Sequence, residues 1–169
     1  MAYPTWAFTM KTITYLSLGL LGLALLLPIA GRLGWLAGKA PDDLGVREGR
    51  LKPPSDTPNS VSSQANLYPS HPQQKYAFLP PFKYRGDSQQ SMQRLAGLLN
   101  ATAGCVMVKQ EPVYLYAQCR TKLLNYTDDI EFYLDESAGV IHVRSGSRLG
   151  HSDLGANRKR IEAWRQRFD

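Results

Sequence analysis

The apolar and polar positions divide the chain into an apolar N-terminal stretch, a proline-rich middle and a C-terminal region of mixed periodicity. Residues 13–30 are apolar apart from threonine, tyrosine and serine, which is the short end of the length that crosses a membrane. We therefore expect a transmembrane helix or uncleaved signal anchor at 13–30, after an N-terminal tail at 1–12. Residues 31–82 are rich in proline, serine, asparagine and glutamine. This composition predicts an extended tether whose later part packs on the domain. The expected contact points are residues 59–63 and the aromatic residues Tyr68, Tyr76, Phe78 and Phe82.

The remainder, 83–169, has the periodicities of one folded domain. Asp87, with Gln90 three residues later, is typical of a helix N-terminus. The apolar residues behind it recur at helical spacing and form one face: Met92, Leu95, Ala96 and Leu99. Alternating residues then predict two strands, at 106–108 and 113–119.

The next two strands can be aligned with each other from their own alternation. Ile130, Phe132 and Leu134 alternate with polar residues, as do Ile141 and Val143, and both sets belong on the core side of the sheet. The alignment that puts them there makes six cross-strand pairs: Leu134 with Ile141, Tyr133 with His142, Phe132 with Val143, Glu131 with Arg144, Asp129 with Gly146 and Asp128 with Ser147. It therefore brings an acidic pair beside the Gly/Ser-rich basic loop that follows the second strand.

A closing helix is predicted to begin near Ser152 or Asp153, because both are good N-cap residues. Four apolar residues at helical spacing form its stripe: Leu154, Ile161, Trp164 and Phe168. Asn157 lies on the same stripe, so its amide needs hydrogen-bond partners, and the 145–150 loop is nearest. Glu162 is one turn from Arg158 and is expected to pair with it. The predicted fold is α+β, a small antiparallel four-stranded sheet flanked by an N-terminal and a C-terminal helix.

The 145–150 loop and the start of the closing helix form the candidate site. Glycines there permit tight turns in which amides converge. A helix N-terminus beside Arg148 and Arg158 would attract a phosphate, a carboxylate or a lipid headgroup. The same charges can instead satisfy one another in a closed structural network, with Asp129 paired to Arg148, Glu131 paired to Arg144 and Asp153 as a helix cap, and we favour that interpretation. The residues of this ligand site or network are Asp128, Asp129, Arg144, Ser145, Ser147, Arg148, Ser152, Asp153, Asn157, Arg158 and Arg160.

No residue is assigned a catalytic role. His151, Ser152 and Asp153 are the residue types of a hydrolytic triad, but three consecutive residues cannot adopt triad geometry. Asp128 and Asp129 could bind a divalent cation, but they are adjacent on a strand and their carboxylates therefore point to opposite faces. Three histidines supply no convincing ligand set, so neither a metal nor another cofactor is expected.

The charge balance bears on partners. The formal net charge is +6, and the excess lies within 32–127, where twelve basic residues face six acidic ones. That distribution suits an anionic membrane surface, whereas no basic stripe interleaved with aromatics points to nucleic acid. Cys105 and Cys119 can meet only if the chain between them turns about Pro112. Free, buried cysteines are favoured over a disulfide.

Three C-terminal stretches resemble the domain-of-unknown-function family 1499 (DUF1499): DDIEF at 128–132, VRSGSRLG at 143–150 and SDLGANRKRIE at 152–162. Two N-terminal motifs also match, LGVREGRL at 44–51 and TPNSVSS at 57–63, so the resemblance covers about 41–168. The family usually has cysteines where this chain has Pro54 and Ser60, which removes any disulfide or metal role for that pair. The resemblance implies a domain and transfers no mechanism. Family members often carry an N-terminal hydrophobic segment.

The expected function is that of a membrane-anchored domain with a non-catalytic binding or assembly role, whose basic loop recognises an anionic group or a protein partner. The alternative is an enzyme acting on an anionic or lipid-like substrate, with Asp129 or His151 as acid/base. Signals for orientation disagree. Arg32 and Lys39 after the span favour a cytoplasmic domain, whereas Met10-Lys11-Thr12 resembles a natural start with an export signal. We favour a single-pass anchor with an extracytoplasmic, periplasmic domain.

Overall fold

The computed structural model describes residues 5–168, with side chains from residue 10 onward. The first residues of the predicted tail, 1–4, and the last residue of the predicted domain lie outside the described residues. The helices are α1 (Thr5–Arg32), α2 (Gln74–Ala77), α3 (Ser88–Asn100) and α4 (Ala156–Phe168), and a 3-10 turn covers Ala65–Leu67. The strands are β1 (Ser60–Ser62), β2 (Phe82–Lys83), β3 (Cys105–Glu111), β4 (Tyr114–Arg120), β5 (Thr127–Asp135) and β6 (Val140–Ser147).

Within the described residues the sheet has six strands, two more than predicted. Its order is β1-β6-β5-β4-β3, and β2 also pairs with β6. Both extra strands are antiparallel to β6 and lie along its outer edge, with Ser60 opposite Gly146 and Phe82 opposite Ile141. Strands of three and two residues are too short to show alternation, so the proline-rich composition around them concealed their role.

The predicted register of the β5–β6 hairpin is confirmed at all six pairs. It holds because a shift by one residue would turn Ile130, Phe132 and Leu134 out of the core. These three side chains are at most 2% exposed.

The core lies between the sheet and the two longer helices of the domain, α3 and α4. The predicted helical face of α3 is buried, and the Asp87 carboxylate accepts the amide of Gln90 at 2.7 Å, as expected for an N-cap. Phe82 of β2 lies edge-on to both Phe132 and Phe168, with ring centroids 5.5 Å apart in each pair. Full burial of such a ring contributes about 1.5–3 kcal/mol, so part of the predicted tether belongs to the core.

Helix α4 begins later than predicted. Leu154 and Gly155 have positive φ angles of 52° and 79°, so the chain makes a left-handed turn before Ala156 starts the helix. Leu154 is 88% exposed and therefore does not belong to the buried stripe. The stripe consists of Asn157, Ile161, Trp164 and Phe168.

The cysteines form a disulfide between Cys105 and Cys119, which corrects the expectation of free thiols. They lie directly opposite each other on β3 and β4. A β-bulge between Met107 and Lys109 shifts the register by one residue, and without that shift the two side chains would be on opposite faces. Sequence alternation gives no sign of such a bulge.

Helix α1 contains a stretch, Met10–Arg32, that is long and apolar enough to cross a membrane, a property that signal sequences share. Its 23 residues span about 35 Å at 1.5 Å each, more than the roughly 30 Å of a bilayer core. The apolar helix thus extends beyond the predicted 13–30 and supports the predicted N-terminal anchor.

Candidate functional site

The predicted polar cluster divides into two networks, one on each face of the sheet. The division follows from strand geometry, since consecutive residues of β5 point to opposite faces. We call the group on the side of α4 the helix-side network: Asp128, Ser145, Ser147, Asn157 and Arg160. The group on the other side is the far-face network: Tyr114, Tyr116, Asp129, Glu131, Arg144 and Arg148.

In the helix-side network, the Asp128 carboxylate is held by α4 and by β6. Arg160 Nη2 lies 2.6 Å from one carboxylate oxygen, and the Ser147 hydroxyl donates to the other at 2.5 Å. Asn157 is fully buried. Its oxygen accepts from Ser145 and Arg160, while its amide nitrogen donates to the Asn59 carbonyl and to Ser147. The expectation that this inward amide needs partners is met, but they are not the backbone groups of the 145–150 segment that the sequence suggests. They are the hydroxyls of Ser145 and Ser147, which belong to β6, together with Arg160 and the Asn59 carbonyl.

In the far-face network, Asp129 and Arg148 form a two-pronged ion pair. The Nε and Nη2 atoms of Arg148 lie 2.8 and 2.7 Å from the two carboxylate oxygens, and Tyr116 donates its hydroxyl to Asp129 at 2.6 Å. Asp129 is 1% exposed, and the Arg148 side chain is 7% exposed. Such bidentate pairs are stronger than ordinary hydrogen bonds and fix both side chains.

Glu131 and Arg144 face each other one step further along the sheet. Glu131 accepts the Gly45 amide at 2.7 Å and the Tyr114 hydroxyl at 2.8 Å, and Arg144 Nη1 is 3.8 Å from its second oxygen. Burial raises the pKa of Glu131 above its usual value, against the lowering effect of the Gly45 amide and Arg144. Burial, with the neighbouring Glu131 charge, raises the pKa of Tyr114 well above its usual range, so this phenol remains a donor.

Asp153 organises the turn into α4. Its carboxylate accepts the amides of Gly155 and Asn157 at 3.0 and 2.8 Å and the Tyr76 hydroxyl at 2.8 Å. Although burial opposes ionisation, these donors hold the pKa of Asp153 below its usual value. Ser152, its exposed neighbour, only accepts the Leu154 amide at 3.2 Å.

The predicted pair between Arg158 and Glu162 does not form. Arg158 donates instead to the carbonyls of Tyr76 and Phe78. Glu162 pairs with Arg165 instead, at 3.2 Å. A helical pair of this kind is worth only about 0.3–0.5 kcal/mol, so carbonyl groups arriving from the α2 segment outcompete it.

The sequence predicts that residues 59–63 contact the domain, but it does not predict which site residues they bind. Asn59 contributes its carbonyl to Asn157 and to the Ser147 amide, and its side chain donates to the Gly150 carbonyl at 2.8 Å. Ser60 accepts the Ser55 amide at 2.8 Å with its hydroxyl. The TPNSVSS motif was the signal that could have connected this segment to the site.

The fold defines this protein as an α+β domain with an antiparallel sheet, two covering helices and an N-terminal apolar helix. The chain belongs to the DUF1499 family, described as a protein of unknown function, whose model matches residues 50–168. The match includes β1 and every later described element, and therefore every residue of both networks; Gly45, whose amide binds Glu131, precedes it. No curated protein matches the chain.

Proposed function

We propose that this protein is a membrane-anchored, non-catalytic binding or assembly domain that holds a fixed position at the extracytoplasmic membrane surface. The observation that carries the proposal is the contact between the end of α1 and the domain. Asn125 donates to the Gly31 carbonyl at 3.3 Å, and the Leu124 backbone lies so close to Gly31 that a side chain there would collide with it. An anchor packed against its domain suits a protein whose task depends on position.

Exposed apolar side chains near this contact support a location at the membrane surface. Leu33 and Trp35 follow the span and are 61% and 75% exposed, and Leu123, next to the Gly31 contact, is 67% exposed. Tryptophan is enriched where the hydrocarbon core meets water. We infer that these residues enter the interfacial layer beside the anchor.

The disulfide supports the extracytoplasmic side. Disulfides persist in oxidising compartments and are rare in the cytosol, and Cys105 and Cys119 are bonded. This argument outweighs the two basic residues after the span, Arg32 and Lys39, because the positive-inside rule concerns a bias among loops and has exceptions.

The binding surface that we propose lies outside the Arg148/Arg158 loop. Arg148 is engaged by Asp129, and Arg158 by two backbone carbonyls. An anion at the loop would have to displace these partners, and breaking a buried ion pair costs about 3–5 kcal/mol. The networks are better explained as the framework that holds β5, β6 and α4 together.

The geometry favours binding over the enzymatic alternative. Both oxygens of Asp129, the proposed acid/base, already accept from Arg148, and one of them also from Tyr116. His151 is exposed, and among the described residues no carboxylate lies within ion-pair distance of it. Acid/base catalysis needs hydrogen-bond reach to a substrate, so Asp129 would first have to release its partners, and His151 would act without a carboxylate to orient its ring.

Cross-linking of intact membranes that carry the full chain tests the proposal. The expected result is a discrete cross-linked adduct between this protein and a partner. Gly31→Leu should abolish the adduct, because the added side chain pushes the end of α1 away from the domain. Gly19→Leu is the matched control, since space is open around Gly19 within the span. Absence of an adduct with the unaltered chain, or an adduct unaffected by Gly31→Leu, would refute the proposal. Labelling of cysteines by an impermeant maleimide after reduction tests the sidedness in the same membranes.

A further inference from the structure

The strongest unassigned feature is a cleft of about 500 Å³ between β2, α3 and the end of α4. We call it the cationic cleft, and its lining residues are Pro80, Pro81, Lys83, Arg85, Arg94, Arg165 and Phe168. Four of the seven are cations and none is acidic. The volume falls in the range of small-molecule sites.

Two of the four cations are fixed by aromatic rings. The Arg94 guanidinium lies 5.0 Å from the centre of the Phe168 ring, and that of Arg165 lies 4.4 Å from the centre of Phe82. Arg165 also donates to the carbonyls of Pro80 and Pro81 and pairs with Glu162, so it shapes the wall of the cleft and its donors are already used. The Arg94 guanidinium, held by a ring, loses less freedom when it binds an anion.

The other two cations are available. Lys83 and Arg85 are exposed, and among residues 5–168 neither has an ion-pair partner or a side-chain hydrogen bond. Like charges gathered in one cleft repel one another, and an anion bound among them relieves that repulsion. Phe168, Pro80 and Pro81 add an apolar wall.

We propose that the cationic cleft binds a phosphate ester whose organic part is apolar and packs on Phe168 and the two prolines. The inference rests on the proposed binding function and names its ligand class. Arginine clusters recognise phosphate through charge-assisted hydrogen bonds, and the apolar wall selects for more than the bare ion.

The position of the cleft bears on the source of the ligand. The anchor contacts the loop before β5, whereas Lys83 pairs with Val140 beside the far end of β5. The eight steps along β5 correspond to about 26 Å. A soluble phosphate ester is therefore favoured over a lipid headgroup of the same bilayer, although both share the proposed chemistry.

Titration of phenyl phosphate onto the full chain in phosphatidylcholine nanodiscs tests the proposal. We expect phenyl phosphate to bind more tightly than inorganic phosphate, and phenol not to bind. Lys83→Gln combined with Arg85→Gln should weaken phenyl phosphate binding about tenfold, a factor of about three for each exposed cation that is lost. Lys75→Gln with Lys159→Gln makes the same change in charge at exposed positions outside the cleft and should leave the affinity unchanged.

Failure of phenyl phosphate to bind, or equal weakening by both double variants, would overturn the proposal. Nanodiscs that contain phosphatidic acid distinguish the sources. Displacement of phenyl phosphate by the lipid would identify a headgroup as ligand, and undisturbed binding would identify a soluble ester. The proposed function is tested separately. If the unaltered chain gives the cross-linked adduct but binds no phosphate ester, only the cleft proposal is refuted. If the unaltered chain gives no adduct, the proposed function is refuted whatever the titration gives.

Discussion

Basic side chains lie in two contrasting settings in this domain. In the networks, Arg148 and Arg160 each contact a carboxylate on β5 and are largely buried. In the cationic cleft, Lys83, Arg85 and Arg94 line an open cavity that has no acidic residue. The comparison shows that the number of basic residues does not locate a binding site. What matters is whether the fold already supplies their counter-charges, because a satisfied cation has little left to offer a ligand.

The largest expected effect is that of Arg148→Ala. It leaves Asp129 buried and charged without its main partner, a loss that costs about 3–5 kcal/mol. Urea denaturation of the full chain in nanodiscs measures this loss. Arg167→Ala, which removes an exposed arginine of α4, is the control and should change the free energy of unfolding by about 0.5 kcal/mol or less. Equal effects of the two changes would show that the Asp129 pair does not stabilise the fold.

A smaller loss in the free energy of unfolding is expected for Asn157→Leu. Leucine is similar in size but leaves the Ser145 hydroxyl without its acceptor, whereas the Asn59 carbonyl keeps the Ser147 amide. An unsatisfied buried group costs about 1–3 kcal/mol, so we expect a loss of that size in the free energy of unfolding. A thermal unfolding curve that matches that of the unaltered chain would contradict the helix-side network as described.

Asp153→Asn should lower the free energy of unfolding by an amount that depends on pH. The folded state holds the pKa of Asp153 below the ordinary value of 3.8. The carboxylate therefore contributes stability above pH 3.8, and that contribution disappears as the pH falls through the folded-state pKa. We expect the substitution to cost about 1 kcal/mol at neutral pH, the usual value of a helix cap. Unfolding measured from pH 7 to pH 2.5 should show the gap closing, and a constant gap would contradict this role.

The smallest effect on stability is expected in the cationic cleft. Lys83→Gln with Arg85→Gln removes exposed charges without described partners, so the free energy of unfolding should change by about 0.5 kcal/mol or less. The same denaturation measurement checks this value. A loss of several kcal/mol would mean that these cations stabilise the fold, as those of the networks do.

The parts of the fold that the sequence predicted are those with strong local periodicity. The β5–β6 register was predictable because Phe132, Leu134, Ile141 and Val143 can be buried together in only one alignment. The pairing of Asp129 with Arg148 followed from that register and the charges. The α3 cap followed equally from Asp87 and its spacing to Gln90.

What the sequence could not predict depends on contacts between distant segments or on irregular backbone. Strands β1 and β2 are too short to alternate, and the bulge in β3 that aligns Cys105 with Cys119 has no compositional sign. The carbonyls that hold Arg158 come from residues about 80 positions earlier in the chain. The sequence therefore predicted Glu162 as the partner of Arg158, whereas the structure engages Arg158 with these carbonyls.

The most direct test of the distinction between structural and available cations compares two variants in one titration with phenyl phosphate. We expect Lys83→Gln with Arg85→Gln to weaken binding at unchanged stability. We also expect Arg158→Gln to lower stability by about 1–2 kcal/mol, through loss of its two bonds to carbonyls, and to leave the affinity unchanged. The opposite outcome is that Arg158→Gln abolishes binding at unchanged stability while the cleft variant binds normally. That result would contradict the distinction and would locate the binding site at the Gly/Ser loop.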